Sequence, residues 1–175
     1  MSQVREWSRP DIDKSGWGEG PWMTEPDKVQ WVDEATGLDC LIVRNHGGAL
    51  CGYVGVGPDH PWHGRSYSDA EEASYKAAPD DPIHVHGGLT FAGACAESED
   101  PARGICHVAE PGRPEHVWWF GFDCAHSGDL SPATEAYFRD EDPSLMRGRW
   151  DASYKSRRYV EGQIRNLARQ LSEVA

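Results

Sequence analysis

The segment VWWFGFDC, residues 117–124, constrains the fold more than any other part of the chain. Bulky apolar side chains occupy its odd and even positions alike. Successive side chains of a β-strand point to opposite faces of a sheet, so a strand of this composition has to be covered on both sides. The sequence therefore predicts a central strand here, between two covering layers.

Two other regions show the period-two alternation of strands. From residue 28, alternating segments separated by the turn sequences DEATG and NHGG predict a meander of three strands. The segment IHVHGGLTFAG, residues 83–93, predicts another strand with one apolar and one polar face. His84 and His86 lie on its polar face.

Helical signals are weaker in the middle of the chain and strongest at its end. Ser68 followed by Glu71 indicates a capping box that begins a short helix. The C-terminal segment has apolar residues at spacings of four and three, which is typical of an amphipathic helix packed on a sheet. Its apolar stripe consists of Val160, Ile164, Leu167, Leu171 and Val174.

These patterns predict an α+β fold: a single domain over residues 28–175, with a mainly antiparallel sheet and the C-terminal helix packed on it. Residues 1–27 have no periodicity and predict an irregular arm. The arm contains Trp7, Trp17 and Trp22. Large indole rings are rarely left in water, so we expect the arm to lie across the domain and cover an edge or a pocket.

Composition narrows the function classes. The formal net charge of −12 argues against general binding of nucleic acid, which requires clustered Lys and Arg. The one basic cluster, in the C-terminal segment, is interpreted as a solvated helix face and includes Lys155. No segment has the length and apolar character of a membrane span, and the N-terminus shows no signal-peptide pattern.

Five cysteines are odd in number and include no CxxC pair, which argues against a disulfide framework. Together with the N-terminal sequence, they predict a cytoplasmic protein with unbonded thiols. These thiols would be free, metal ligands or nucleophiles. The five are Cys40, Cys51, Cys95, Cys106 and Cys124.

Reactive side chains follow directly after the predicted central strand. Asp123, Cys124, His126 and Asp129 come at its end, where a rigid backbone holds residues that can reach a cleft. If this end meets the strand of residues 83–93, the four side chains of His84, His86, Cys124 and His126 form a ligand set suited to zinc.

Three bound ligands would leave a position for water, whose pKa falls towards about 7 on zinc. Asp123 or Asp129 would orient that water or an imidazole. A cysteine nucleophile is the alternative chemistry, with Cys124 activated by His86 or His126 and an aspartate orienting the ring. A third interpretation is structural: the histidines line a turn, Cys124 fills the core, and Asp129 caps a turn.

The motifs VHGGLTFAG and WWFGFDCAHSGD, with the preceding CLIVRNHGGALCGYVGVGPDHPWHG, resemble a family of uncharacterised proteins carried by bacteriophages and bacterial genomes. The resemblance implies a cytosolic, phage-associated accessory protein and transfers no catalytic residue.

Two functional hypotheses follow. The first is a small metal-binding protein with hydrolase-like chemistry at the cleft, acting on a small-molecule ligand. The second is a non-catalytic binder or inhibitor of a host protein, or a sequesterer of a nucleotide-like ligand. In that case the contact anchors would be Trp7, Trp17, Trp22, Trp62 and Trp150.

Overall fold

The computed structural model describes residues 3–147 and 151–174. The strands are β1 (Arg5–Trp7), β2 (Lys28–Val32), β3 (Asp39–Arg44), β4 (Leu50–Val56), β5 (Phe91–Ala94) and β6 (Trp118–Asp123). The α-helices are α1 (Tyr67–Ala77), α2 (Pro132–Glu141) and α3 (Arg157–Ser172), with 3-10 helices at Pro21–Met23 and Pro143–Met146. The strands form one antiparallel sheet in the order β1-β2-β3-β4-β6-β5. The predicted α+β fold and the three-stranded meander are confirmed.

One face of the sheet packs against α3, as its apolar stripe predicts. Four stripe residues are fully buried in one cluster with Phe120 and Phe122 of β6. These four are Val160, Ile164, Leu167 and Leu171. Val174 lies beyond the last helical residue and is partly buried against the same cluster.

The opposite face of the sheet is covered by residues 95–117, which form no helix or strand. We call this segment the covering loop. Trp119 of β6 is fully buried on this side, in a cluster with Tyr53 and with Ile105 of the loop. Residues of both parities of β6 are therefore buried, which confirms the prediction of a central strand covered on both faces.

Buried polar side chains of β2 anchor the covering loop. The ammonium group of Lys28 donates to three loop carbonyl oxygens at distances of 2.8 to 3.1 Å. The side-chain amide of Gln30 donates to the carbonyl of Val108 at 2.7 Å and accepts from its amide at 2.8 Å. A loop that forms no strand or helix can cover a sheet only if its buried backbone N–H and C=O groups have such hydrogen-bond partners.

The N-terminal arm covers an edge of the sheet, since β1 pairs with β2. Its end is fixed by a buried ion pair in which Arg44 Nε donates to Asp27 Oδ1 at 2.6 Å. Arg44 also donates to the hydroxyl of Tyr154 at 2.9 Å, and that hydroxyl donates to Glu25 at 2.6 Å. The arm is thus joined to the segment that precedes α3.

Two local predictions are wrong. Residues 83–90 are not a strand, because Gly87 and Gly88 have φ angles of +68° and +82° and turn the chain before β5 begins. The N-cap of α1 is Ser66, whose hydroxyl accepts from the amide of Asp69 at 3.1 Å, and not Ser68. The carboxylate of Glu71 instead accepts from the amide of Leu89.

The expectation of five unbonded thiols is wrong for one pair. Cys95 and Cys106 form a disulfide at the start of the covering loop. An odd count excludes complete pairing but allows a single bridge. The remaining cysteines, Cys40, Cys51 and Cys124, are free and buried.

Within residues 3–147 and 151–174, no helix has both the length and the apolar character needed to cross a membrane.

Candidate metal centre

Three side chains from two segments bring their ligand atoms within 4.8 Å of one another: His86, His126 and Asp129. His86 lies in the loop between α1 and β5, immediately before the two turn-forming glycines. His126 and Asp129 belong to the turn that follows β6, where the amide of Asp129 donates to the carbonyl of His126 at 2.9 Å. We call these three residues the trio.

Both ring nitrogens of His86 have partners. Its Nε2 lies 2.8 Å from Asp129 Oδ2, and its Nδ1 lies 2.9 Å from the hydroxyl of Tyr159 on α3. The backbone amide of His86 donates to Gln163 Oε1 at 2.9 Å, which fixes the loop against the same helix. The imidazole is therefore held between an aspartate and a phenol.

Asp129 is a buried carboxylate with several donors around it. Oδ2 accepts from the backbone amide of His126 at 3.0 Å, and Oδ1 lies 3.1 Å from the ammonium group of Lys155. Burial alone would raise the pKa of Asp129, but hydrogen bonds from His86, Lys155 and the His126 amide outweigh it and lower that pKa. The group is thus an anion at neutral pH.

The imidazole of His126 has one buried nitrogen. Its Nδ1 has no hydrogen-bond partner among the described residues. The nearest carboxylate oxygens are Asp129 Oδ2 at 3.6 Å and Asp123 Oδ1 at 3.7 Å, beyond hydrogen-bond distance. Asp123 is itself engaged, since it accepts from the hydroxyl of Thr90 and the amide of Ala125.

Two residues of the predicted ligand set lie outside the trio. Cys124 is 1% exposed within the apolar core, and burial, followed by the nearby carboxylate of Asp129, raises the pKa of its thiol. His84 is exposed, and its backbone is held by two hydrogen bonds to the side chain of Gln170. The structure thus brings His86 and His126 together with Asp129 and leaves Cys124 and His84 outside this group.

The sequence patterns do not indicate Tyr159, and Lys155 was expected on a solvated surface. Lys155 precedes α3 and is only 17% exposed beside Asp129. Tyr159 and Gln163 lie four residues apart on α3, a spacing that places them in one row beside the loop of His86. That spacing is visible in the sequence, but nothing in the sequence pairs the row with residue 86.

The tryptophans proposed as contact anchors are mostly core residues. Trp17, Trp22 and Trp62 are buried, Trp7 is half-buried, and Trp150 lies outside the described residues. Trp17 and Trp22 form a separate small cluster with Ala136 of α2. The structure gives the hypothesis of a tryptophan-based docking surface no support at the three buried positions.

Comparisons with known proteins identify no relative from which a role for the trio could be transferred. Neither protein-family models, curated proteins nor solved structures give a significant match to this chain. The resemblance of VHGGLTFAG and WWFGFDCAHSGD to a phage-borne family stays a prediction. The chain contains residue groups that could bind a metal ion, and the trio is the group at the predicted site.

Proposed function

We propose that the trio of His86, His126 and Asp129 binds a single divalent metal ion, with zinc as the first candidate, and that the protein is a metal-dependent hydrolase. One observation supports this most directly. His126 Nδ1 is a buried polar atom without a hydrogen-bond partner among the described residues, and it lies 3.6 Å from Asp129 Oδ2 of the trio. Burying an unsatisfied polar atom is costly, and a bound cation would satisfy it.

The donor set also fits catalytic zinc. Two imidazoles and one carboxylate are a ligand combination of catalytic zinc sites, which keep a position for water, whereas closed structural sites use four protein ligands. The Tyr159 hydroxyl at His86 Nδ1 is the kind of outer partner that fixes the tautomer of a metal-binding imidazole.

Zinc, when bound, supplies a hydroxide at neutral pH, because it lowers the pKa of its water to about 7. The surrounding side chains suit hydrolysis. The ammonium group of Lys155 lies 3.1 Å from Asp129 Oδ1 and, together with a bound cation, would attract an anionic substrate oxygen. The side chains of Asp123 and His126 are 31% and 33% exposed, so a ligand can reach the trio from solvent.

Among the alternatives, a cysteine nucleophile is the less supported chemistry, because burial raises the pKa of Cys124 and disfavours its thiolate. We further propose that the substrate is a small anionic molecule, since the ammonium group of Lys155 lies beside the proposed cation site. A cytosolic, phage-associated setting remains part of this proposal. It is motivated by the motif resemblance alone.

Metal titration of three variants tests the proposal. We expect the non-reduced protein to bind about one zinc ion per chain, and His126→Ala and Asp129→Asn to weaken binding at least about tenfold. His84→Ala is the matched control, because His84 belongs to the same loop as His86 and lies outside the trio. Calorimetric titration gives affinity and stoichiometry, and circular dichroism reports folding.

Two results would contradict the proposal. One is a wild-type protein that binds no zinc, cobalt or manganese and whose melting temperature is unchanged by chelators. The other is an equal loss of affinity in His84→Ala and His126→Ala while both variants remain folded.

A further inference from the structure

A second group of potential ligand atoms lies on the covering loop and shares no residue with the trio. It consists of Cys95 Sγ, Cys106 Sγ and a ring nitrogen of His107, all within 4.8 Å of one another. The two sulfur atoms are joined as a disulfide in the structure, so their side chains already face each other. Two sulfurs and one imidazole nitrogen are the donor types of zinc sites.

The ring of His107 is oriented for ligation. Its Nε2 lies 3.0 Å from the backbone carbonyl of Pro114, and a carbonyl oxygen only accepts hydrogen bonds. Nε2 therefore bears the proton of the neutral ring, and Nδ1 keeps its lone pair. Nδ1 lies 3.9 Å from Cys95 Sγ, on the side where a shared cation would have to sit.

A fully buried side chain also points at the sulfur of Cys95. The indole Nε1 of Trp119 donates to Cys95 Sγ at 3.3 Å. An N–H donor directed at sulfur stabilises a thiolate more than a neutral thiol, since the charged acceptor makes the stronger hydrogen bond. The ring of Trp119 also packs edge-on against that of His107, with 5.5 Å between centroids.

The fourth side of the group is open. Cys106 and His107 line a cavity of about 470 Å³, together with Glu115 and His116. This cavity leaves room for water or a small ligand beside two of the three donors, Cys106 and His107. A cation held here would have three protein ligands and one exchangeable position.

We propose that the reduced protein binds a thiophilic divalent cation, of which zinc is the type, through Cys95 Sγ, Cys106 Sγ and His107 Nδ1. Binding releases the two thiol protons and leaves two thiolates on the metal. The disulfide is the competing state. Its formation removes two electrons and two protons from the thiols, and a small-molecule disulfide takes them up as it is reduced to two thiols.

The two states place different demands on the covering loop. The disulfide joins Cys95 directly to Cys106, eleven positions later in the chain. A metal ion would join both residues to His107 as well. Lys28 donates to the backbone carbonyl of Cys106 at 2.8 Å and keeps that end of the loop on the sheet in the structure. The site thus links the redox state of the surroundings to occupancy by metal.

Cobalt(II) absorption distinguishes this site from the trio, because only thiolate ligands give a sulfur-to-cobalt charge-transfer band. The test uses the His126→Ala variant, in which metal binding at the trio is expected to be weakened. We expect the band in reduced protein at one cobalt per chain, its disappearance on adding zinc, and its absence in oxidised protein.

Cys106→Ser should abolish the band. His107→Ala should weaken cobalt affinity at least about tenfold, and His116→Ala, from the same loop, should not.

A second measurement needs no substitution at the site. In reduced wild-type protein, zinc should slow alkylation of Cys95 and Cys106, read by peptide mass spectrometry. Reduced, folded protein without the charge-transfer band would overturn the proposal, as would alkylation rates that zinc does not change. Retention of the full band in Cys106→Ser would also overturn it. Each of these outcomes leaves zinc binding by the oxidised wild-type protein, the test of the trio, unaffected.

Discussion

Replacing Gly87 by alanine is expected to weaken metal binding at least about tenfold, whereas the same change at Gly88 should leave affinity near wild type. Both glycines have positive φ angles, +68° and +82°, so alanine adds comparable backbone strain of about 1 kcal/mol at either position. Their surroundings differ. A methyl group at Gly87 would overlap the imidazole of His126, while one at Gly88 would meet only Glu71 Oε1 at 3.4 Å.

The comparison isolates the position of one imidazole. Calorimetric zinc titration of the two oxidised variants, with urea unfolding to measure stability, separates displacement of His126 from general strain. We expect backbone strain to lower the free energy of unfolding by a similar amount in both variants. Gly87→Ala should lose more than this, because its methyl group overlaps His126. Equal zinc affinities in the two folded variants would show that the ring of His126 is not a ligand.

Replacing Asp27 by asparagine is expected to lower the free energy of unfolding by about 3 kcal/mol, because it leaves the buried guanidinium of Arg44 without its closest counter-charge. The control is Glu173→Gln, which removes the exposed partner of Arg169 and should cost no more than about 0.5 kcal/mol. Urea unfolding at pH 7 measures both. A loss below about 1 kcal/mol for the Asp27 variant would contradict the expectation.

The same variant should change the response to acid. Burial alone would raise the pKa of Asp27, but hydrogen bonds from Lys14, the Arg9 amide and Arg44 outweigh it and lower that pKa. A carboxyl with a lowered folded-state pKa stabilises the protein above its unfolded value, near 3.9, and this contribution is lost as pH falls through the folded value. The difference in stability between wild type and variant should therefore shrink below about pH 4.

Packing patterns in the sequence predicted the layers of the fold. The apolar side chains at both parities of residues 117–124 and the stripe of α3 follow from burial, which acts on each side chain separately and leaves a pattern in the sequence. The failure at residues 83–90 has a local cause. Two consecutive glycines allow positive φ angles, and the turn they form interrupts a pattern that otherwise resembles a strand.

The candidate site was predictable only where its parts are close in sequence. His126 and Asp129 belong to one turn, so their proximity follows from spacing. The partnership of His86 with that turn was expected from the pairing of the strand at residues 83–93 with the central strand. That pairing occurs only through β5, and His86 reaches the trio from the loop before it. Tyr159 joins it through the packing of α3, which periodicity predicts as an element but does not place against a particular loop.

The strand order has a consequence for how the chain acquires its site. β6 lies between β4 and β5, so Val56 pairs with Trp118 across a long intervening segment. His86 contacts Asp129 and Tyr159 at separations of 43 and 73 positions along the chain. Contacts this distant form slowly, because loop-closure entropy opposes them until the sheet is in place. A nascent chain still lacking α3 has no Tyr159 to hold His86, so the proposed metal site would be completed only at the end of folding.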